Sequence, residues 1–147
     1  MSRRDAFSGD LFAVPQAPAA IPGSMDYRVQ VSQLVSRMLA QAAAAGLDRW
    51  AVASNASRLA GYDISKNMLD GYTSEAREAF NCPLWVAPVI ETVCSSTLLS
   101  DWHVHVRGGR ANYGAATIDA EIGRLEHERE QNGARIKQLK DLRRRVR

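Results

Sequence analysis

Apolar residues recur on steps of three and four along most of the chain beyond residue 26, the period of helices with one buried face. Val31, Leu34, Val35, Met38, Leu39 and Ala42 share one such face. Asp26 stands before it as a candidate N-terminal cap, and Gly46 follows it as a stop. Asp48 is placed to cap a second helix, "RWAVASNASRLA", which turns Val52, Ala53, Ala56 and Leu59 inward and closes at Gly61. Asp63 or Ser65 opens a third, with Met68, Leu69 and Tyr72 facing the core. Thr73 or Ser74 begins a further short helical piece. Asn81 or Cys82, followed by Pro83, signals another helix, carrying Leu84, Trp85, Val89, Ile90 and Val93.

The stretch "LLSDWHVHVRGG" fits two periods. Leu98, Leu99 and Trp102 suit a helix, while Trp102, Val104 and Val106 alternate with His103, His105 and Arg107 as on a strand. The reading adopted is a helix that gives way to an extended tail before Gly108 and Gly109. Trp50, Trp85 and Trp102 each sit in an apolar helical pattern and are expected in the core.

From Thr117 to Arg147 the pattern is one long helix. Ile118, Ile122, Leu125, Ile136, Leu139 and Val146 form a coiled-coil seam, interrupted at Arg129, Asn132 and Arg143. The expected fold is therefore all-α. A compact bundle of about five short helices (residues 26–107) is joined by a Gly-rich linker (108–116) to a long C-terminal helix (117–147). Residues 1–25, with Pro15, Pro18 and Pro22 among small residues, read as a flexible arm. Within that arm "SGDLF" exposes Leu11 and Phe12, and its last three positions resemble the short peptides that dock on bacterial sliding clamps. The same two residues could instead fold back on their own domain.

Charge refines this picture by its position. The 147 residues carry 19 Lys and Arg against 16 Asp and Glu. Residues 26–110 hold eight of each and are neutral, whereas residues 111–147 hold nine bases and six acids. Affinity for phosphate must then come from the C-terminal segment or from local arrangement. That segment is itself polarised, with five acids and two bases over 119–130 and seven bases and one acid over 135–147. An antiparallel pair of such helices matches acid to base. Ile118, Ile122, Leu125, Ile136 and Leu139 are accordingly the candidate dimerisation residues, with packing on another helix of the same chain as the alternative.

No apolar run is long enough to cross a bilayer, and residues 1–23 lack the continuous apolar stretch of a signal peptide, so no membrane association is expected and a cytoplasmic location is. Cys82 and Cys94 are then expected as reduced thiols. Asp101, His103 and His105 make an incomplete ligand set, with His127 far along the chain, so no metal or other cofactor is expected. Without a phosphate-binding Gly-rich loop or a nucleophile–base pair, an enzyme is not expected either.

The stretch from Asp48 to Trp102, with its turn "AGYDIS" and the following "NCPLWVAPVIETVCSSTLLSDW", resembles the helical DNA-binding domains of the phage lambda-repressor class. More narrowly it resembles small regulators of temperate and Mu-like transposable phages. Ser57 occupies the slot four positions before the turn glycine where that class places a small residue, and the second helix is a turn longer than in its simplest members. The resemblance implies a helix-turn-helix with its turn at Gly61–Ile64. Ser65, Lys66, Asn67 and Asp70 would then face the major groove, in a transcriptional regulator that binds double-stranded DNA as a homodimer in a bacterial host cell. Asparagine can read adenine, and lysine can read guanine or hold phosphate. Serine at a helix start is as well explained by capping, and Lys66 and Asn67 by a solvated face; Asp70, Glu75 and Glu78, which outnumber Lys66 and Arg77 over 65–80, would be repelled by a DNA backbone. Arg143, Arg144, Arg145 and Arg147, in "KQLKDLRRRVR", are the candidate phosphate contacts, set against the ordinary preference for cations at a helix C-terminus. A protein-interaction adaptor that keeps the helical fold is the alternative function, favoured by the neutrality of residues 26–110.

Overall fold

The computed structural model describes residues 16–77 and 79–146. Among them the regular structure is all-helical: α1 (Arg28–Ala44), α2 (Arg49–Ala60), α3 (Lys66–Tyr72), α4 (Ala87–Cys94), α5 (Leu98–Val106) and α6 (Ala115–Arg145). The chain divides into two compact units at Ala111/Asn112, the first holding α1–α5 and the second α6.

The first unit is built on the apolar face of α1. Val35 and Met38 are fully buried there, against Val52 and Ala56 of α2, Leu69 and Tyr72 of α3, and Ile90 of α4. Removing a large aliphatic side chain of this kind from water stabilises the fold by about 1.5–3 kcal/mol. The helix boundaries follow local chemistry. Asp48 accepts the Ala51 N–H at 2.8 Å as the cap of α2, and Gly61 closes α2 in the left-handed region at φ 63°. Gly46, at φ 89°, turns the chain out of α1. Gln16 and Ala17 of the N-terminal segment lie over Gly108, where a Cβ would come within 2.6 Å of the Ala17 nitrogen.

Several sequence-based expectations are corrected. Tyr27, not Asp26, is the residue flanking α1. The Asp26 carboxylate instead grips Arg28, accepting from its side chain at 2.6 and 2.8 Å and from its backbone N–H at 3.3 Å. These contacts hold the Asp26 carboxyl down at about 2. The expected helical piece at Thr73 or Ser74 is absent, since the described residues of 73–86 run in turns. Successive three-residue closures (Ser74 to Gly71, Arg77 to Ser74, Phe80 to Arg77) each end without propagating. Asn81 ties this segment to α1 by donating to the Arg28 carbonyl and to the buried Ser32 hydroxyl. Pro83 does start a turn, but α4 begins only at Ala87, with Pro88 in its first turn. Leu84 and Trp85 therefore stand exposed before the helix instead of on its buried face.

The strand-like tail is also corrected: α5 continues through His103 and His105 to Val106, so these residues do not alternate on one side. Of the three tryptophans expected inside, Trp50 and Trp85 are 68% and 51% exposed, because each precedes or opens its helix outside the packed stripe. Trp102 is half-buried, donating from Nε1 to Gln30 at 3.2 Å and meeting Tyr27 edge to face. Leu59, in the last turn of α2, is exposed as well. The long helix begins at Ala115, two residues before the expected Thr117.

Candidate nucleic-acid interface

The corner between α2 and α3 is fixed from inside by Ser57. Its hydroxyl donates to the Ala53 carbonyl at 2.9 Å and accepts the Ile64 N–H at 2.9 Å. A small hydroxyl at this place links the last turns of α2 to the end of the loop, while Ile64 itself is buried beneath the corner. The chain leaves α2 through left-handed Gly61, a conformation that costs a side-chain-bearing residue about 1 kcal/mol or more. Ser65 then starts α3, its Oγ accepting the Met68 N–H at 3.2 Å.

Of the four residues expected at the groove, three are engaged within the protein. Ser65 is committed to its cap. Lys66 donates to Asp70 at 2.6 Å, four residues along the same helix, and its ammonium lies 5.7 Å from the centre of the Trp50 ring. The other Asp70 oxygen accepts from Arg49, the first residue of α2, at 2.6 Å, and Arg49 also reaches the Thr73 hydroxyl at 3.3 Å. The Lys66 and Arg49 hydrogen bonds hold the Asp70 carboxyl below its ordinary range. Asn67 is exposed. The cluster of Arg49, Lys66 and Asp70 sums to one positive charge, so Asp70 does not leave this edge acidic. It braces α2 against α3 and holds Arg49 and Lys66 side by side.

Sequence reasoning missed Arg49 and Trp50 in this cluster, since they lie about twenty residues from their partners. Their only signal was position, immediately after the capping Asp48. It also missed Glu91, which is buried in α4 and caps the neighbouring helix. Its carboxylate accepts from the backbone N–H groups of Leu99 and Ser100 at 2.8 and 2.9 Å and from the Ser100 hydroxyl at 2.6 Å. Glu91 is the single charge between residues 79 and 100, which was the available clue.

The remaining expected residues lie elsewhere or outside the described region. Arg143, Arg144 and Arg145 are exposed at the end of α6, with Arg144 3.8 Å from Asp141. Arg147, Leu11 and Phe12 lie outside the described residues. Ile118, Ile122, Leu125, Ile136 and Leu139 are all about half exposed or more along α6. Cys82 and Cys94 are free thiols, pushed up to about 12 and about 11, chiefly by burial. Among the described residues no three His, Cys, Asp or Glu side chains are grouped to hold a metal ion, and no helix is long and apolar enough to cross a membrane. His103 and His105 are exposed on α5. Comparison with protein-family models, with curated proteins and with solved structures finds no match for this chain.

Proposed function

We propose that the chain is a DNA-binding regulator of the temperate-phage type, using α2 and α3 as a helix-turn-helix and acting as a homodimer in the cytoplasm of a bacterial host. The observation that carries this reading is the α2–α3 corner. A turn held by the hydrogen bonds of Ser57 and by left-handed Gly61 leads into α3, where Asn67 is exposed next to Lys66 of the Arg49–Lys66–Asp70 cluster. In this role Asn67 is the base-reading residue, through paired hydrogen bonds to adenine. Arg49 and Lys66, already aligned by Asp70, serve phosphates or a guanine edge, and Trp50 offers an aromatic flank. Ser65 and Asp70 are positioning residues. Arg143, Arg144, Arg145 and Arg147 add sequence-blind attraction to phosphate.

The test is duplex binding by the full chain across a salt series, repeated with Arg143, Arg144 and Arg145 all changed to alanine. The wild-type affinity is expected to fall steeply with salt. The triple variant is expected to flatten the logarithmic slope by about two to three, roughly 0.9 per lost phosphate contact. Absence of duplex binding at low salt would overturn the reading.

That outcome would favour a second reading, a protein-interaction adaptor. A specific observation supports it: a groove of about 510 Å³ between α1, α5 and the start of α4, walled largely by Val31, Leu84, Pro88, Leu99 and Trp102. Leu84, 78% exposed at its edge, is placed to touch an apolar partner.

A further inference from the structure

Among the described residues α6 buries no side chain, yet it displays two apolar stretches of one seam, 118–125 and 136–139, parted by Arg129 and Asn132. Ile118, Ile122, Leu125, Ile136 and Leu139 lie on one stripe, at alternating steps of four and three once Arg129 and Asn132 are included. Such a stripe needs a cover. The polar interruptions, rather than the apolar positions, decide what covers it.

We propose that α6 pairs antiparallel with α6 of a second copy, in the register that sets Ile122 opposite the partner's Leu139 and Leu125 opposite the partner's Ile136. In that register Ile122, Leu125, Ile136 and Leu139 each meet an apolar residue, while Ile118 lies opposite the partner's Arg143, whose aliphatic stem covers it. The two central layers set Arg129 opposite the partner's Asn132, so each guanidinium faces an amide carbonyl that accepts from it. Sliding by one heptad either way places Asn132 against isoleucine and Arg129 against leucine. The polar pair therefore fixes the register, as a buried asparagine does in other coiled coils.

The charges flanking the seam select the direction. Antiparallel pairing brings Asp119 beside the partner's Lys140 and Glu128 beside the partner's Arg135. Glu128 already accepts from Arg124 within its own helix, and a carboxylate has capacity for both. A parallel, in-register pair would stack Arg129 on Arg129 and Arg143 on Arg143. It would also set Glu121 beside Glu126 and Arg135 beside Lys140. These opposed like charges disfavour the parallel arrangement. In the antiparallel pair the two linkers leave from opposite ends of a rod of 31 residues, roughly 46 Å long at 1.5 Å per residue.

This proposal deepens the dimeric part of the reading above and does not depend on DNA contact. It is tested by sedimentation of the full chain over a concentration series, without nucleic acid. Wild type is expected to dimerise. Asp119→Lys and Lys140→Asp are each expected to weaken the dimer about fivefold, since each change occurs twice per dimer. The two substitutions in one chain are expected to restore it. Tighter association of Lys140→Asp alone would indicate parallel pairing and overturn the proposal. Failure of the combined variant to recover, with helix content unchanged by circular dichroism, would overturn it too, as would a monomer at every concentration.

Discussion

Glu91 and Asp70 are carboxylates that serve opposite kinds of partner. Glu91 is buried and satisfies backbone donors at the start of α5, where the flanking Thr97 makes no side-chain cap. Replacing it by alanine leaves two helix N–H groups without their acceptor and opens a void, so Glu91→Ala should cost about 3 kcal/mol in urea unfolding. A change below about 0.5 kcal/mol would show that water replaces the carboxylate freely. Asp70 is half-exposed and paired first with Lys66 and then with Arg49. Its folded value lies below the 3.8 of an ordinary aspartate, so its contribution is fully present above that pH and is lost as pH falls through the lowered value. Acid titration should therefore release Lys66 from Trp50 only below about pH 4, read as a Trp50 fluorescence change that Asp70→Asn abolishes. A transition unaffected by that substitution would assign it to another carboxylate.

Helix ends were legible at three places where their chemistry is local, although Asp26 and Pro83, equally local signals, did not start the helices expected of them. Asp48, Gly61 and Ser65 act within three or four residues of themselves, and each does in the structure what its type predicts. The α1 stripe was legible for the same reason. The stretch between α3 and α4 was not. Its turns are held by Asn81 reaching back to α1 and by Gln33 of α1 donating to Glu75, contacts across more than forty residues that no local period records. Trp50 and Trp85 match the apolar helical period of the sequence, but Trp50 lies off the packed face of α2 and Trp85 precedes α4, so both are exposed. At the corner itself Gly61→Ala should cost about 1 kcal/mol, since its left-handed backbone penalises a Cβ although the space around it is open. Thermal unfolding of that variant measures the cost, and no change in midpoint would mean the turn relaxes to another conformation.

At the scale of the whole molecule, the two units differ in charge. The neutral α1–α5 unit holds the corner tied by Ser57, and the α6 unit carries the surplus positive charge and the exposed seam. Local patterning revealed the bundle and the long helix. The Arg49–Asp70 brace depends on packing α2 against α3, so the resemblance suggested only Ser65, Lys66, Asn67 and Asp70, and the pairing of Lys66 and Arg49 with Asp70 required the coordinates. The claim on which the functional account rests is that this corner reads bases through Asn67. It is tested most directly by selecting preferred duplexes from a random pool with the full chain and repeating the selection with Asn67→Ala and Arg144→Ala. The account predicts a defined preference for wild type, a preference relaxed at one or two base pairs for Asn67→Ala, and an unchanged preference at lower affinity for Arg144→Ala. A preference identical in wild type and Asn67→Ala would contradict it.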